Sequence, residues 1–215
     1  MKRITLSALL MTLFLLMSCN NSGTSPKDGQ AAKSDGTLID LATITKNIKD
    51  TVAFAKSVKD VHTLVKSIDE LAKAIGKKIK NDDNTLDTDS GKNTALLAGV
   101  FSVTLDIVKK AKALQIPESI KDQDLTQKVS GVTTAAEAFR KKLKEQNATL
   151  GVASGATTDD NAQKAIDRNG KPSGENGAKE LGDLNTTVDA LLKAANDAVE
   201  SAINELTTPA KPSNT

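Results

Sequence analysis

The 215-residue chain carries one cysteine, Cys19, and one histidine, His62. These two residues cannot supply the paired thiols of a disulfide scaffold or the roughly four Cys/His ligands of a structural zinc site. Catalysis by a Cys/His or Ser/His pair has a single candidate base, and His62 sits beside Val61 and Leu64 with no cysteine near it in sequence. That is the setting of a packed histidine rather than of a ligand or general base. Four aspartates, Asp82, Asp83, Asp87 and Asp89, crowd one segment. Calcium-loop spacing fails there: Asp87 and Asp89 are followed by Gly91 at the fifth ligand position and by Ala98 at the twelfth, where a bidentate Glu is required. The segment is read as a solvated acidic turn, with no metal site. No constellation of residues supports an enzyme or a bound cofactor.

Two basic clusters remain. Lys77, Lys78 and Lys80 follow Gly76, and Arg140, Lys141, Lys142 and Lys144 follow Phe139. Their density resembles heparin-binding segments, in which ammonium and guanidinium groups meet sulfates, so these seven residues form a candidate glycosaminoglycan site. The competing reading makes them cations on solvated faces that complement the negative C-terminal ends of two helices.

Cys19 has a different chemistry. Lys2 and Arg3 precede an apolar stretch from Ile4 to Met17, a basic region and short hydrophobic core of signal-peptide type. The stretch is shorter than the ~20 residues a spanning helix needs. Leu16-Met17-Ser18-Cys19 then resembles the lipobox of bacterial lipoproteins, in which the thiol takes a thioether-linked diacylglycerol and the new amine a further acyl chain. Each buried methylene contributes ~0.8 kcal/mol and one chain holds only marginally, so two or three chains anchor permanently. With residues 1–18 removed as the signal, Lys+Arg falls from 29 to 27 and equals the 27 Asp+Glu. The positive balance belongs to the signal, and no clustered excess of charge or stacking aromatics argues for nucleic acid. Phe54, Phe101 and Phe139 are the remaining aromatics, so the core must be built from Ala, Val, Ile and Leu.

The positioning elements follow from spacing. Residues 19–36, rich in Ser, Gly, Asp and Lys, read as a lipidated flexible tether. From about 40 to 80, Leu41, Ile44, Ile48, Val52, Ala55, Val58, Val61, Val65, Ile68, Ala72, Ile75 and Ile79 recur at three- and four-residue steps, predicting one long amphipathic helix started by Thr37-x-x-Asp40. A turn-rich loop at 81–92 leads to a second helix over 94–114. Pro117 suits the first position of a third helix over 117–147. A short helix over 159–167 lies between glycine-rich loops, and a last helix runs from 178 to 206, stepping through Leu181, Leu184, Val188, Leu191 and Ala195. No segment reads as a strand, and residues 207–215, with Pro209 and Pro212, read as a disordered tail.

The expected fold is all-α: an antiparallel bundle of four substantial helices plus one short helix, occupying residues 37–206. Parity places the loop at 81–92 and the region 148–177 at the end away from the lipid anchor, and brings both basic clusters there.

Several stretches carry a family likeness: MKRITLSALLMTLFLLMSCNNSG at the start, VHTLVKSIDELAKAIGKKIKNDD in the first helix, and NGAKELGDLNTTVDALLKAA and AINELTTPAKP in the last. They resemble the variable small proteins of relapsing-fever spirochetes, relatives of outer surface protein C of the Lyme spirochetes. Residues 94–158 match less closely. The resemblance implies a helical lipoprotein of the cell outer membrane, exposed outside the cell and often homodimeric. It also implies an antigen expressed one variant at a time, so that switching evades host antibodies. Members have been associated with host ligands including glycosaminoglycans, which makes an adhesin the alternative function. No family binding residue transfers to a position in this chain.

Overall fold

The computed structural model describes residues 30–32, 38–81 and 84–206. The signal segment, Cys19, most of the tether and the tail at 207–215 lie outside them. Two short strands, β1 (Gln30–Ala32) and β2 (Leu38–Asp40), pair antiparallel with Ala31 opposite Ile39, and the chain then enters helix α1 (Leu41–Ala72). Asp40 itself is the cap: its Oδ1 accepts the Ala42 and Thr43 backbone N–H groups at 3.1 and 3.0 Å, and its Oδ2 the Thr43 hydroxyl at 2.7 Å. These bonds satisfy donors that a helix start otherwise leaves open.

α1 ends eight residues before the predicted 80. Gly76 takes φ +65°, a left-handed conformation that stops the helix. Lys77–Ile79 becomes strand β3, paired antiparallel with β4 (Leu86–Thr88) so that Ile79 faces Leu86. The apolar spacing had assigned Ile79 to the helical seam, yet it is 89% exposed, whereas Ile75 packs against the core. The expectation of a chain without strands is corrected at these two three-residue ladders.

α2 (Thr94–Lys112) lies where it was predicted. The third helix starts later than Pro117. That residue leads a single 3-10 turn (Glu118–Ile120), and α3 (Gln123–Glu145) begins after Asp122, whose Oδ1 caps the Leu125 N–H at 2.7 Å. α3 runs unbroken through Gly131, and the Thr133 hydroxyl donates within reach of the Ala111 and Val129 carbonyls. One turn, α4 (Asn147–Leu150), precedes α5 (Asp159–Ile166) and the last long helix, α6 (Ala178–Asn204).

α1 packs on α6 and α2, and α3 on the same two helices, closing a four-helix antiparallel bundle. Its interior is the predicted aliphatic stripe. Val58, Val61, Val65 and Ile68 of α1 meet Val100 and Ile107 of α2, Val132 and Phe139 of α3, and Leu181, Leu184, Val188 and Leu191 of α6, all nearly sealed from solvent. A fully buried side chain of this kind contributes about 1.5–3 kcal/mol. The bundle has two distinct ends. Asn47, Asp122, Ala202 and Glu205 line one open groove of about 400 Å³, so the start of α1, the start of α3 and the end of α6 share a terminal end. The other end gathers the β3–β4 hairpin, α4, α5 and the loops beside them.

Candidate binding surface at the loop end

The loop end is held by a buried amide. Asn93, 1% exposed and just before α2, accepts the Gly76 N–H on its Oδ1 at 2.8 Å; its Nδ2 donates to the Thr157 carbonyl at 3.0 Å and to Asp159 Oδ1 at 2.8 Å. Asp159 Oδ1 also accepts the Gly91 N–H at 2.8 Å. That backbone donor first, then the Asn93 amide, the Ser90 hydroxyl and the charge of Lys77, hold the Asp159 carboxyl below its ordinary range against a partial desolvation cost. A Cβ at Gly76 would stand 2.7 Å from Asp159 Oδ2, so any larger residue there would displace that carboxylate in addition to straining the backbone at φ +65°. Thr157, also buried, donates to the Leu150 carbonyl at 2.9 Å and shares a hydroxyl contact with Thr94 at 2.8 Å. The hairpin and the 150–159 loop are thereby one unit, although neither Asn93 nor Asp159 shows any periodic signal in the sequence.

The loop at 167–177 is fixed separately. Arg168 donates from Nε and Nη2 to the two carboxylate oxygens of Asp69 at 2.8 and 2.7 Å, a forked pair at the last turns of α1 with both side chains about 15% exposed. Gly177, at φ +147°, approaches the Ala165 carbonyl and the side chains of Leu143 and Phe139, which seats the start of α6 against the ends of α3 and α5.

Both basic clusters reach this end, on different elements from those predicted in one case. Lys77 and Lys78 lie on β3 and Lys80 just beyond it, not on a helix; Lys78 is 3.7 Å from Asp87 on the paired strand. Dipole complementation therefore does not account for this cluster. Arg140, Lys141, Lys142 and Lys144 do occupy the end of α3. Arg140 pairs with Glu137 at 2.7 Å, Lys141 with Glu145 at 3.7 Å and Lys142 with Glu180 of α6 at 3.8 Å, while Lys144 is exposed. Much of the cationic charge is thus already answered by carboxylates. Of the acidic turn, Asp87 faces Lys78 and Asp89 is 3.4 Å from Lys92; Asp82 and Asp83 lie outside the described residues. Among the described residues no group of three or more His, Cys, Asp or Glu side chains is placed to hold a metal ion.

His62 lies mid-bundle, away from these loops. Its Nε2 is 2.9 Å from Asp189 Oδ1 on α6, and Asp189 Oδ2 accepts from Asn185 Nδ2 at 2.7 Å and lies 3.8 Å from Lys66. The imidazole is an interhelical contact, with no hydroxyl or thiol among its hydrogen-bond partners in the described residues.

The fold and its loop end define an all-α protein, a capped four-helix bundle with two separately fixed loop units at one end. The family model described as Lipoprotein (Lipoprotein_6) matches residues 38–212, and the chain belongs to that family. Among individual proteins, it is 46% identical over 215 residues to Variable small protein 11 of Borrelia hermsii, covering 97% of this chain and 99% of that one. It is 41% identical over 213 residues to Outer surface protein C of Borreliella burgdorferi, covering 97% and 96%. The solved structure of Variable Small Protein 1 of Borrelia turicatae superposes with a TM-score of 0.72 at 50% identity, covering 78% of this chain and 99% of that one. The resemblance carried by the first and last helices thus extends over nearly the whole length.

Proposed function

We propose that this chain is a lipid-anchored surface antigen of the outer membrane, held through Cys19 and presenting its loop end outward to host antibodies as one of a set of alternating variants. The observation that carries the reading is the near full-length likeness to proteins called variable small protein and outer surface protein. The fold supports it. β2 and Leu206 lie at the terminal end of the bundle, and the loops 73–93 and 146–177 at the other. The lipidated segment ahead of β1 and the residues after Leu206 would therefore join the bundle on the same side, with the loop end farthest from the lipid. No described helix is long and apolar enough to cross a membrane, so attachment in this reading falls to the acyl chains. Half-exposed Val52 on α1 and Leu105 on α2 are apolar side chains that a homodimer would cover.

The glycosaminoglycan adhesin is the weaker reading, because Lys78, Arg140, Lys141 and Lys142 each already face a carboxylate. No enzymatic role is proposed. Protease treatment of intact cells, followed by antibody to this chain and to a periplasmic control, tests the proposal. Loss of this protein while the control survives is expected. Survival until the outer membrane is broken would place the chain in the periplasm and remove the antigen reading.

A further inference from the structure

The chain contains two Asn-Gly pairs, Asn169-Gly170 and Asn176-Gly177, seven residues apart in one loop. Asn-Gly is the dipeptide most prone to spontaneous deamidation, since glycine leaves the following backbone nitrogen unshielded by a Cβ. That nitrogen attacks the asparagine side-chain carbonyl carbon, forming the N–C bond of a five-membered succinimide. The attacking nitrogen's proton passes through solvent, and the side-chain nitrogen leaves as ammonia. Water then opens the ring at either carbonyl to yield aspartate or isoaspartate. No oxidant, cofactor or enzyme is consumed; the reaction needs only room for the ring to close and water to reach it.

The fold gives the two pairs opposite environments. Asn176 is 9% exposed, and its amide Nδ2 donates to the Asn161 carbonyl at 3.2 Å. Gly177 is buried too, packed at φ +147° against the Ala165 carbonyl, Leu143 and Phe139 where α6 begins. Turning the Asn176 side chain onto the Gly177 nitrogen would require that junction to come apart. Asn169 and Gly170 are both exposed in a turn. The Gly170 nitrogen is held by a contact to Asp167 Oδ1 at 2.8 Å, itself open to solvent, so water can replace it when the turn opens. A Cβ at position 170 would fall 2.4 Å from Asp167 Oδ2, so the turn as built favours glycine and with it the unshielded nitrogen.

We infer that Asn169 is a site of self-catalysed deamidation in the folded protein, whereas Asn176 is protected by the fold. The product places a new carboxylate, and in the isoaspartyl form an extra backbone methylene, beside the forked Arg168–Asp69 pair at the loop end. The inference is independent of the antigen reading, because it concerns the chain's own amide and water.

The experiment incubates the full folded chain in heavy-oxygen water at neutral to mildly alkaline pH and body temperature. Fragment-ion mass spectrometry then assigns incorporated label to Asn169 or Asn176, and the label excludes deamidation during digestion. Progressive label at Asn169, at least tenfold faster than at Asn176, is the expected result, with the difference abolished in denaturant. Asn169→Gln, whose ring closure is slower, should remain unlabelled at 169 while the far-ultraviolet circular dichroism is unchanged. Equal labelling of the two asparagines in the folded chain, or no labelling at Asn169, would overturn the inference.

Discussion

Asn93 Nδ2 lies 2.8 Å from Asp159 Oδ1, joining residues 66 positions apart in sequence and fastening the β3–β4 hairpin to the start of α5. Because the same amide also serves Gly76 and Thr157, one buried side chain sets the relative position of three backbone segments.

Asn93→Ala removes all three side-chain hydrogen bonds and strands the buried Gly76 N–H, whereas the Thr157 carbonyl keeps the backbone N–H of residue 93 at 3.3 Å. A loss of about 1–3 kcal/mol is expected, the cost of one unsatisfied buried group. Urea unfolding measures the loss, and hydrogen exchange should show faster opening of 73–93 and 150–159 with little change in the middle of α1. A uniform rise across the bundle would mean that Asn93 acts on global stability rather than on the loops.

Gly76→Ala combines a left-handed φ of +65° with a Cβ aimed at the Asp159 carboxylate. The backbone alone costs roughly 1–2 kcal/mol, and the contact adds to it unless the Asp159 side chain moves. In a double-mutant cycle, the cost of Gly76→Ala should be smaller in the Asp159→Ala background by the steric part only, the loss of the Gly91 and Asn93 bonds to Asp159 being common to both arms in thermal melts.

Acid sensitivity follows from carboxyls titrating below their ordinary values, Asp159 and Glu137 among them. Asp159 is lowered chiefly by the Gly91 N–H, and Glu137 chiefly by Lys112 on α2 and then by Arg140. Between the folded and unfolded values the unfolded chain binds more protons, so stability rises with pH there. These contributions are fully present above the ordinary values of 3.8 and 4.5 and are lost as pH falls through the lowered folded ones. Asp159→Asn and Glu137→Gln should each flatten the fall in melting temperature below the ordinary carboxylate range; an unchanged acid limb in both would refute the assignment.

Arg168→Lys retains the charge but cannot fork across both oxygens of Asp69. About 1–2 kcal/mol is expected from a pair only about 15% exposed, by denaturant titration. A double-mutant cycle with Asp69→Asn should show coupling, whereas additivity would mean the contact contributes nothing net.

Heparin retention reports on the basic clusters. With four of the seven candidate cations facing carboxylates, elution at low salt is expected. Lys77→Ala/Lys78→Ala/Lys80→Ala should move it only slightly earlier. Retention at high salt that collapses in this variant would restore the adhesin reading.

Periodicity alone determined the helical class, the four long segments and the aliphatic core, because apolar residues at three- and four-residue steps bury on one face whichever neighbours they meet. The family likeness was legible for a similar reason: the stretches that carry it, residues 61–83 and 176–195, hold part of that stripe in the first and last long helices. Tertiary structure decided where α1 stops, since Ile79 keeps the helical spacing but Gly76 and the pairing of β3 with β4 turn the chain aside. It also decided that, of the clustered cations, Lys78 faces Asp87 on the paired strand and Lys142 faces Glu180 on α6, beyond the local pairs that Arg140 and Lys141 make within α3. Their sequence density is a local property; their net charge depends on what the fold brings within 4 Å. The Asn93–Asp159 clasp belongs wholly to the folded state, because single polar residues in loops leave no period, and only closure of the bundle places that amide out of water beside its partners.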